Sequence, residues 1–353
     1  MRKWKWLPIL GVMLLVLACS PQASPTSASE STSAPSAGKV TLILGAYTTP
    51  REVYGKIIPL FQKFWKEKTG QEVEFQESYL GSGAQSRAVV GGFEADLVAL
   101  SLEADVERIA KAGLITHDWK SKGARGMVSH SIVVIAVRAG NPKNIKDWKD
   151  LTKPGLEILT PDPASSGGAQ WNIMALWGAA QRGFVDGYAK GDDNAAREFL
   201  KAVLKNVTVL DKGARESITN FEMGVGDAAI TYENEVFVAR QAGQYYDYSI
   251  PRSTIRIENP VAVIDAHVDK HGTRAAAEGF RDFLFTPEAQ KLYAEYGLRS
   301  VDPDVLKATT AHYPPVEDLF LIGDVGGWQT VTPKFFGADG IFTKLLEQVQ
   351  AEK

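Results

Sequence analysis

The stretch LEILTPDPASSGGAQWNIMALW, residues 156 to 177, decides the architecture. Ile158 to Thr160 is a short apolar run of strand type, and a turn of Ser165, Ser166, Gly167 and Gly168 leads from it into a helix. Two further turns repeat the arrangement. Val73 to Glu77 runs toward Gly81-Ser82-Gly83, and Val207 to Leu210 runs toward Lys212-Gly213-Ala214, with Arg215 opening the next helix. Other strand candidates are Val40 to Ala46, Leu97 to Leu100, Ile132 to Val137, Ala228 to Thr231 and Val261 to Ile264. Helical patterns lie between several of them. Ala196, Phe199, Leu200, Val203 and Leu204 share one face, as do Ile57, Leu60, Phe61 and Phe64, where Pro59 is expected to kink the helix or shift its start. Thr286-Pro287-Glu288 reads as a helix start, with a hydroxyl cap, proline in the first position and an acid in the first turn. No repeat of fixed period interrupts this alternation. The expected class is α/β, with parallel sheets covered by helices on both faces.

Outside that body, Arg2, Lys3 and Lys5 precede an apolar run from Leu7 to Leu17 that is too short to span a bilayer as a helix. Val16-Leu17-Ala18 leads into Cys19, the single cysteine, where a bacterial lipobox places it. Residues 1–19 therefore read as a lipoprotein signal segment cleaved before Cys19, with diacylation of its sulfur as membrane anchor. Residues 20–38, almost all Ser, Ala, Thr and Pro, read as a flexible linker. About 315 residues remain, more than one core usually holds, so two domains are expected. The formal net charge is −3, and without the three basic residues of the signal it is −6. A mildly acidic body argues against nucleic acid or an anionic membrane surface as partner. With 44% hydrophobic and 23% charged residues, the composition is that of an ordinary globular protein.

The three turns carry the chemistry. The first N–H groups of a helix have no partner inside it, the helix dipole adds partial positive charge, and small side chains let a ligand approach the backbone. Any one such turn is more often a plain βα connection. Three of them, all expected at the carboxyl ends of strands, point to an oxyanion site.

The residues also resemble a known family, the periplasmic sulfate-binding proteins, which are type II solute-binding proteins of sulfate and thiosulfate importers. The resemblance runs from Val40 to about Phe342. It rests on P-R-E-x-Y at Pro50 to Tyr54, G-S-G-x-Q at Gly81 to Gln85 and R-x-G-N-P-K-x-I-x-D-W at Arg138 to Trp148. It continues in T-P-x-P-x-S-S-G-G-A-x-W-N at Thr160 to Asn172, V-L-D-x-G-A-R at Val209 to Arg215, Gly226-Asp227, Glu233 to Glu235 and Gly326 to Trp328. The resemblance implies a two-domain type II periplasmic-binding-protein fold with a hinge and an interdomain cleft. Residues 39–130 and 233–353 would form domain 1, and 131–232 domain 2 with the crossover segments. It implies a desolvated sulfate held by main-chain N–H groups and a few side chains, without cofactor, metal or direct ion pair. Thr48, Ser82, Ser166, Gly167, Gly168, Ala214 and Tyr232 fall on the ligand positions, with hydroxyl donors at Ser82 and Ser166. Two of these depart from the usual pattern. Thr48 stands where Asp is common and keeps the backbone N–H, whereas Tyr232 stands where Trp is common and replaces an indole N–H by a phenolic O–H. The implied protein is an extracytoplasmic, monomeric receptor that hands sulfate to the permease of an ABC importer and is not an enzyme. Thiosulfate or molybdate is the alternative ligand, and a secreted hydrolase using Ser166 is the alternative class.

Remaining signals have ordinary readings. Asp265, His267, Asp269 and His271 alternate potential metal ligands, but spacing alone gives no convergent geometry, and a solvated loop is expected there. His117, His130 and His312 are scattered, and no G-x-S-x-G accompanies them. Trp148, Trp171, Trp177 and Trp328 are expected in packing, and Lys63 to Lys68 on a solvated helix face. Asp162 and Asp211, the acids nearest the turns, are expected to point away or cap helices.

Overall fold

The apolar run at Val40 forms β1 (Lys39–Tyr47), and the remaining strands are β2 (Glu72–Leu80), β3 (Leu97–Ala99), β4 (Met127–Val137), β5 (Ile158–Pro161), β6 (Val207–Asp211), β7 (Ala228–Tyr232), β8 (Asp247–Ser249), β9 (Ser253–Val263) and β10 (Asp318–Phe320). The structure is a computed structural model that describes residues 38–352; the signal segment with Cys19 and the linker up to residue 37 lie outside the described residues. Helices α1 (Arg51–Thr69), α2 (Ser82–Val90), α3 (Glu103–Lys111), α4 (Gly167–Arg182), α5 (Asp193–Asn206), α6 (Ala214–Glu222) and α7 (Glu233–Gln241) follow strands or loops of the first two thirds. Then come α8 (Asp265–His271), α9 (Arg274–Phe283), α10 (Pro287–Glu295), α11 (Pro303–Thr309), α12 (Gly327–Phe336) and α13 (Ile341–Ala351).

The strands hydrogen-bond in the order β2-β1-β3-β9-β4-β7-β5-β6, with β8 beside β4 and β10 beside β9. The ends of this order are parallel, as the alternation of strand and helix predicts, but its middle is not. The eleven-residue strands β4 and β9 run antiparallel to each other, to β3 on one side and to β7 on the other. Met127 to Ile132 of β4 pair with β9, whereas Val133 to Val137 pair with β7, so one strand passes from one half of the sheet into the other. The sequence reading found only Ile132 to Val137 and Val261 to Ile264 of these two. The rest, MVSHS and STIRIENP, is polar enough to pass for loop, although Ile255 and Ile257 face the core.

Each half has its own interior. On one side Leu42, Leu44, Phe61, Phe280 and Tyr293 join β1 to α1, α9 and α10, with the rings of Phe61 and Phe280 5.1 Å apart. On the other side Ile135, Trp148, Ile158, Trp171 and Phe199 join β4 and β5 to α4 and α5, and α12 and α13 close that core through Trp328, Phe335 and Leu345. The four tryptophans expected in packing are buried; Trp171 meets Trp328 edge to face at 4.7 Å. Pro59 neither breaks nor delays α1, because the carbonyl it leaves without an N–H belongs to exposed Gly55 and is open to water. The Asp265 to His271 segment is a correction: it forms α8 rather than a solvated loop, with Asp265, His267 and Val268 buried. Its side chains diverge. Asp265 accepts from Thr116 and Arg274, His267 meets the Ala95 carbonyl, and His271 meets Asp96 and Glu94.

Candidate anion-binding site

A short turn leads from each of strands β2, β5 and β6 into a helix, and α2, α4 and α6 begin at Ser82, Gly167 and Ala214. The N–H groups of Ser82, Gly83, Gly167, Gly168 and Ala214, and that of Thr48 after β1, have no protein acceptor among the described residues. The residues that carry them lie close together. A Cβ placed on Gly168 would lie 3.3 Å from Tyr232 Cε1 and 3.4 Å from both Ala214 Cβ and Ser166 Oγ. One placed on Gly213 would lie 3.5 Å from Thr48 Oγ1, and one on Gly81 only 2.6 Å from the Ser165 carbonyl oxygen. Glycine is required at Gly81 by this approach: α2 docks on the turn before α4, and Ala84 N–H donates to Ser165 O at 3.1 Å. All seven sequence-derived ligand positions are thus brought together, and all are buried.

The side chains divide into those with a proton to give and those already engaged. Ser166 caps α4, its Oγ accepting from Ala169 N–H at 3.3 Å, which leaves its own proton free. Ser82 differs from the expectation of a hydroxyl donor. Its O–H donates to Asp105 Oδ2 at 2.6 Å while its Oγ accepts from Ser101 N–H at 3.0 Å, so only its backbone N–H is left to donate. Tyr232 O–H lies 2.6 Å from Ser101 Oγ, and burial holds its pKa well above the usual phenol value, keeping it protonated.

Several charged groups near the site are paired with one another. The Arg215 guanidinium, one residue into α6, donates to Glu52 at 2.7 Å and to the Thr49 carbonyl at 3.2 Å, and its Nη1 is 3.1 Å from Glu235 without hydrogen-bond alignment. Burial pushes the Glu235 carboxyl up to about 7 against the pull of Arg215. Glu233 is paired bidentately with Arg299 at 2.8 and 3.0 Å. Asp162 accepts from Ala164 N–H in its own turn, and Asp211 Oδ1 accepts from Asn220, its Oδ2 being buried without a partner. Asp105 is filled by Ser82 and by Arg108 at 2.6 Å. Thr48, Arg51, Asp211, Lys212 and Arg215 border an open cavity of about 560 Å³ beside the site. Sequence reasoning missed Ser101 and Asp105, because nothing in SLEADVER distinguishes them from a helix start.

What this arrangement can do is hold a small multivalent anion by neutral donors; none of the His side chains contacts Ser166 among the described residues. The family profile described as bacterial extracellular solute-binding protein matches residues 42–299. The sulfate-binding protein of Synechococcus elongatus is 45% identical over 91% of this chain and 90% of its own length. The thiosulfate-binding protein of Escherichia coli is 35% identical over 86% of this chain and 90% of its own. Among solved structures, the sulfate-binding protein SubI from Mycobacterium tuberculosis superposes with a TM-score of 0.77 at 38% identity, covering 84% of this chain and 99% of that one. Convergent helix starts and kinship over most of its length therefore make this chain a member of the bacterial extracellular solute-binding proteins, an α/β binding protein of the sulfate-binding type and not an enzyme.

Proposed function

We propose that this protein captures sulfate in the cleft between its two halves and delivers it to an ABC importer, tethered to the membrane through a diacylated Cys19. The observation that carries the reading is the convergence of three helix N-termini whose first N–H groups have no protein acceptor among the described residues, with Arg215 paired to Glu52 and Asp105 to Arg108 beside them. The ligand donors are the N–H groups of Thr48, Ser82, Gly167, Gly168 and Ala214 and the Ser166 hydroxyl, with Tyr232 forming the wall. Hydrogen bonds to a charged group contribute about 1.5 to 3 kcal/mol each, so six of them outweigh the several kcal/mol of dehydration and leave roughly 8 kcal/mol, a micromolar Kd. Thr48 and Ser82 belong to residues 39–130, and Ser166, Gly167, Gly168 and Ala214 to 131–232. In this reading the halves are domains, β4 and β9 are the crossovers, and the anion draws the halves together by hinge bending, giving the permease a closed surface to recognise.

Discrimination against phosphate rests on the lack of a carboxylate among the donor positions themselves. A protonated phosphate donates a hydrogen bond and needs an acceptor, whereas none of the donor positions is Asp or Glu, and Asp105 is already bonded to Ser82 and Arg108. A thermal-shift panel of sulfate, thiosulfate, molybdate and phosphate tests the reading. Sulfate is expected to raise Tm most and phosphate least. Equal stabilisation by phosphate refutes the sulfate assignment, and a larger shift with thiosulfate makes that anion the ligand. Release of product from ester substrates is the outcome that reopens the hydrolase alternative.

A further inference from the structure

Ser101, which follows β3, has every polar group engaged with a residue of the site. Its N–H donates to Ser82 Oγ at 3.0 Å, its carbonyl accepts from Trp171 Nε1 at 2.9 Å, and its hydroxyl lies 2.6 Å from that of Tyr232. Ser82 shares its half of the sheet, whereas Trp171 and Tyr232 come from the other, so these bonds cross the cleft. With the backbone held from both sides, the hydroxyl has little freedom. It is buried, and its Oγ would stand 2.9 Å from a Cβ on Gly167, beside the unbonded N–H groups that open α4. Two hydroxyls sharing one hydrogen bond carry two protons and use one. Either hydroxyl can be the donor in this pair; when the phenol donates to Ser101 Oγ, the serine proton is left over next to Gly167 and Gly168.

We propose that Ser101, rather than Tyr232, is the side-chain donor that completes the anion site, and that Tyr232 is a positioning residue that polarises the Ser101 hydroxyl from behind. This rests on the reading of the cleft as an oxyanion site. Linked hydrogen bonds strengthen one another, by roughly 10 to 30% per bond, so the anion at the end of the pair is held by an activated donor. The same geometry accounts for a phenol at position 232: its hydroxyl, reaching past Gly168 to Ser101, acts on the ligand through a second group.

The test is sulfate calorimetry on the full chain and on Ser101→Ala, Tyr232→Phe and the double variant, each with its unfolding temperature measured without sulfate. Ser101→Ala is expected to weaken sulfate by about tenfold or more, the loss of a bond to a charged group. Tyr232→Phe is expected to weaken it only about two- to fivefold, since Ser101 still donates, and to have no further effect once Ser101 is Ala. That dependence on background is not produced by a merely structural role for Tyr232. The reverse order, with Tyr232→Phe the damaging change and Ser101→Ala silent, overturns the assignment and makes the phenol the donor; equal and additive losses overturn it as well. Should Ser101→Ala lower the sulfate-free unfolding temperature, the sulfate-induced rise above that variant's own baseline is the quantity compared. A wild type that fails to bind sulfate refutes the oxyanion reading itself, whereas a binding wild type with unmoved Ser101→Ala refutes only this inference.

Discussion

Replacing Gly167 by alanine separates closure of the cleft from the chemistry of the donors. Gly167 opens α4 with a negative φ, so alanine meets no backbone strain, and in a helix it is the better former. Its Cβ, however, would lie 2.8 Å from Leu102 Cγ and 2.9 Å from both Ser101 Cβ and Ser101 Oγ, atoms of the opposite half. Carbon atoms at rest stay about 3.5 to 4.0 Å apart, so one side must retreat by roughly 0.7 Å or more. Overpacking of this kind costs about 1 to 3 kcal/mol. If the halves separate when no ligand is bound, the methyl group faces the open cleft, and the whole penalty falls on closure. Kd for sulfate then rises by about fivefold to 140-fold, at about 1.4 kcal/mol per tenfold. Unfolding without sulfate is unchanged or slightly more stable. Calorimetric titration beside thermal unfolding reads both quantities. A Kd within twofold of wild type refutes the packing argument, and a penalty that appears equally in sulfate-free stability refutes hinge opening, since the halves would then be closed without ligand.

Ser166→Ala removes both a ligand donor and the acceptor that caps α4. Titration is expected to show sulfate binding weaker by about 10- to 150-fold, and denaturant unfolding a loss of about 1 kcal/mol. No proposed donor titrates near neutrality, so sulfate affinity measured between about pH 5.5 and 8 is expected to change little, with the Glu235 carboxyl, pushed up to about 7 by burial, as the source of any drift, and phosphate is expected to compete poorly; a steep pH profile points to a titrating group among the donors themselves. His130 is held down to about 4 by burial and then by Arg256 and Arg299, so the native state takes up fewer protons than the unfolded chain below its ordinary value of 6.5. Its contribution is present above pH 6.5 and lost as pH falls toward 4, and His130→Asn is expected to lose less stability than wild type between pH 7 and 4.5 in urea unfolding.

Local chemistry that a few neighbouring residues specify was readable along the chain. Apolar runs bounded by small-residue turns located β1, β5, β6 and β7 within a residue or two, and Thr286-Pro287 marked the start of α10, where Thr286 Oγ accepts from Ala289 N–H. The turns themselves announced helix ends with spare donors, because an N–H at a helix start is unpaired whatever the rest of the fold does. Pairings between distant segments were not readable. The antiparallel course of β4 and β9 depends on which strands lie beside them, and their polar residues hide a period of two in MVSHS and STIRIENP. The commitment of the Ser82 hydroxyl to Asp105, 23 positions away, and the meeting of Ser101 with Tyr232, 131 positions apart, arise only when three helices dock on one point. A hydroxyl donates its one proton to whichever acceptor the packing brings closest, and only the folded chain says which acceptor that is.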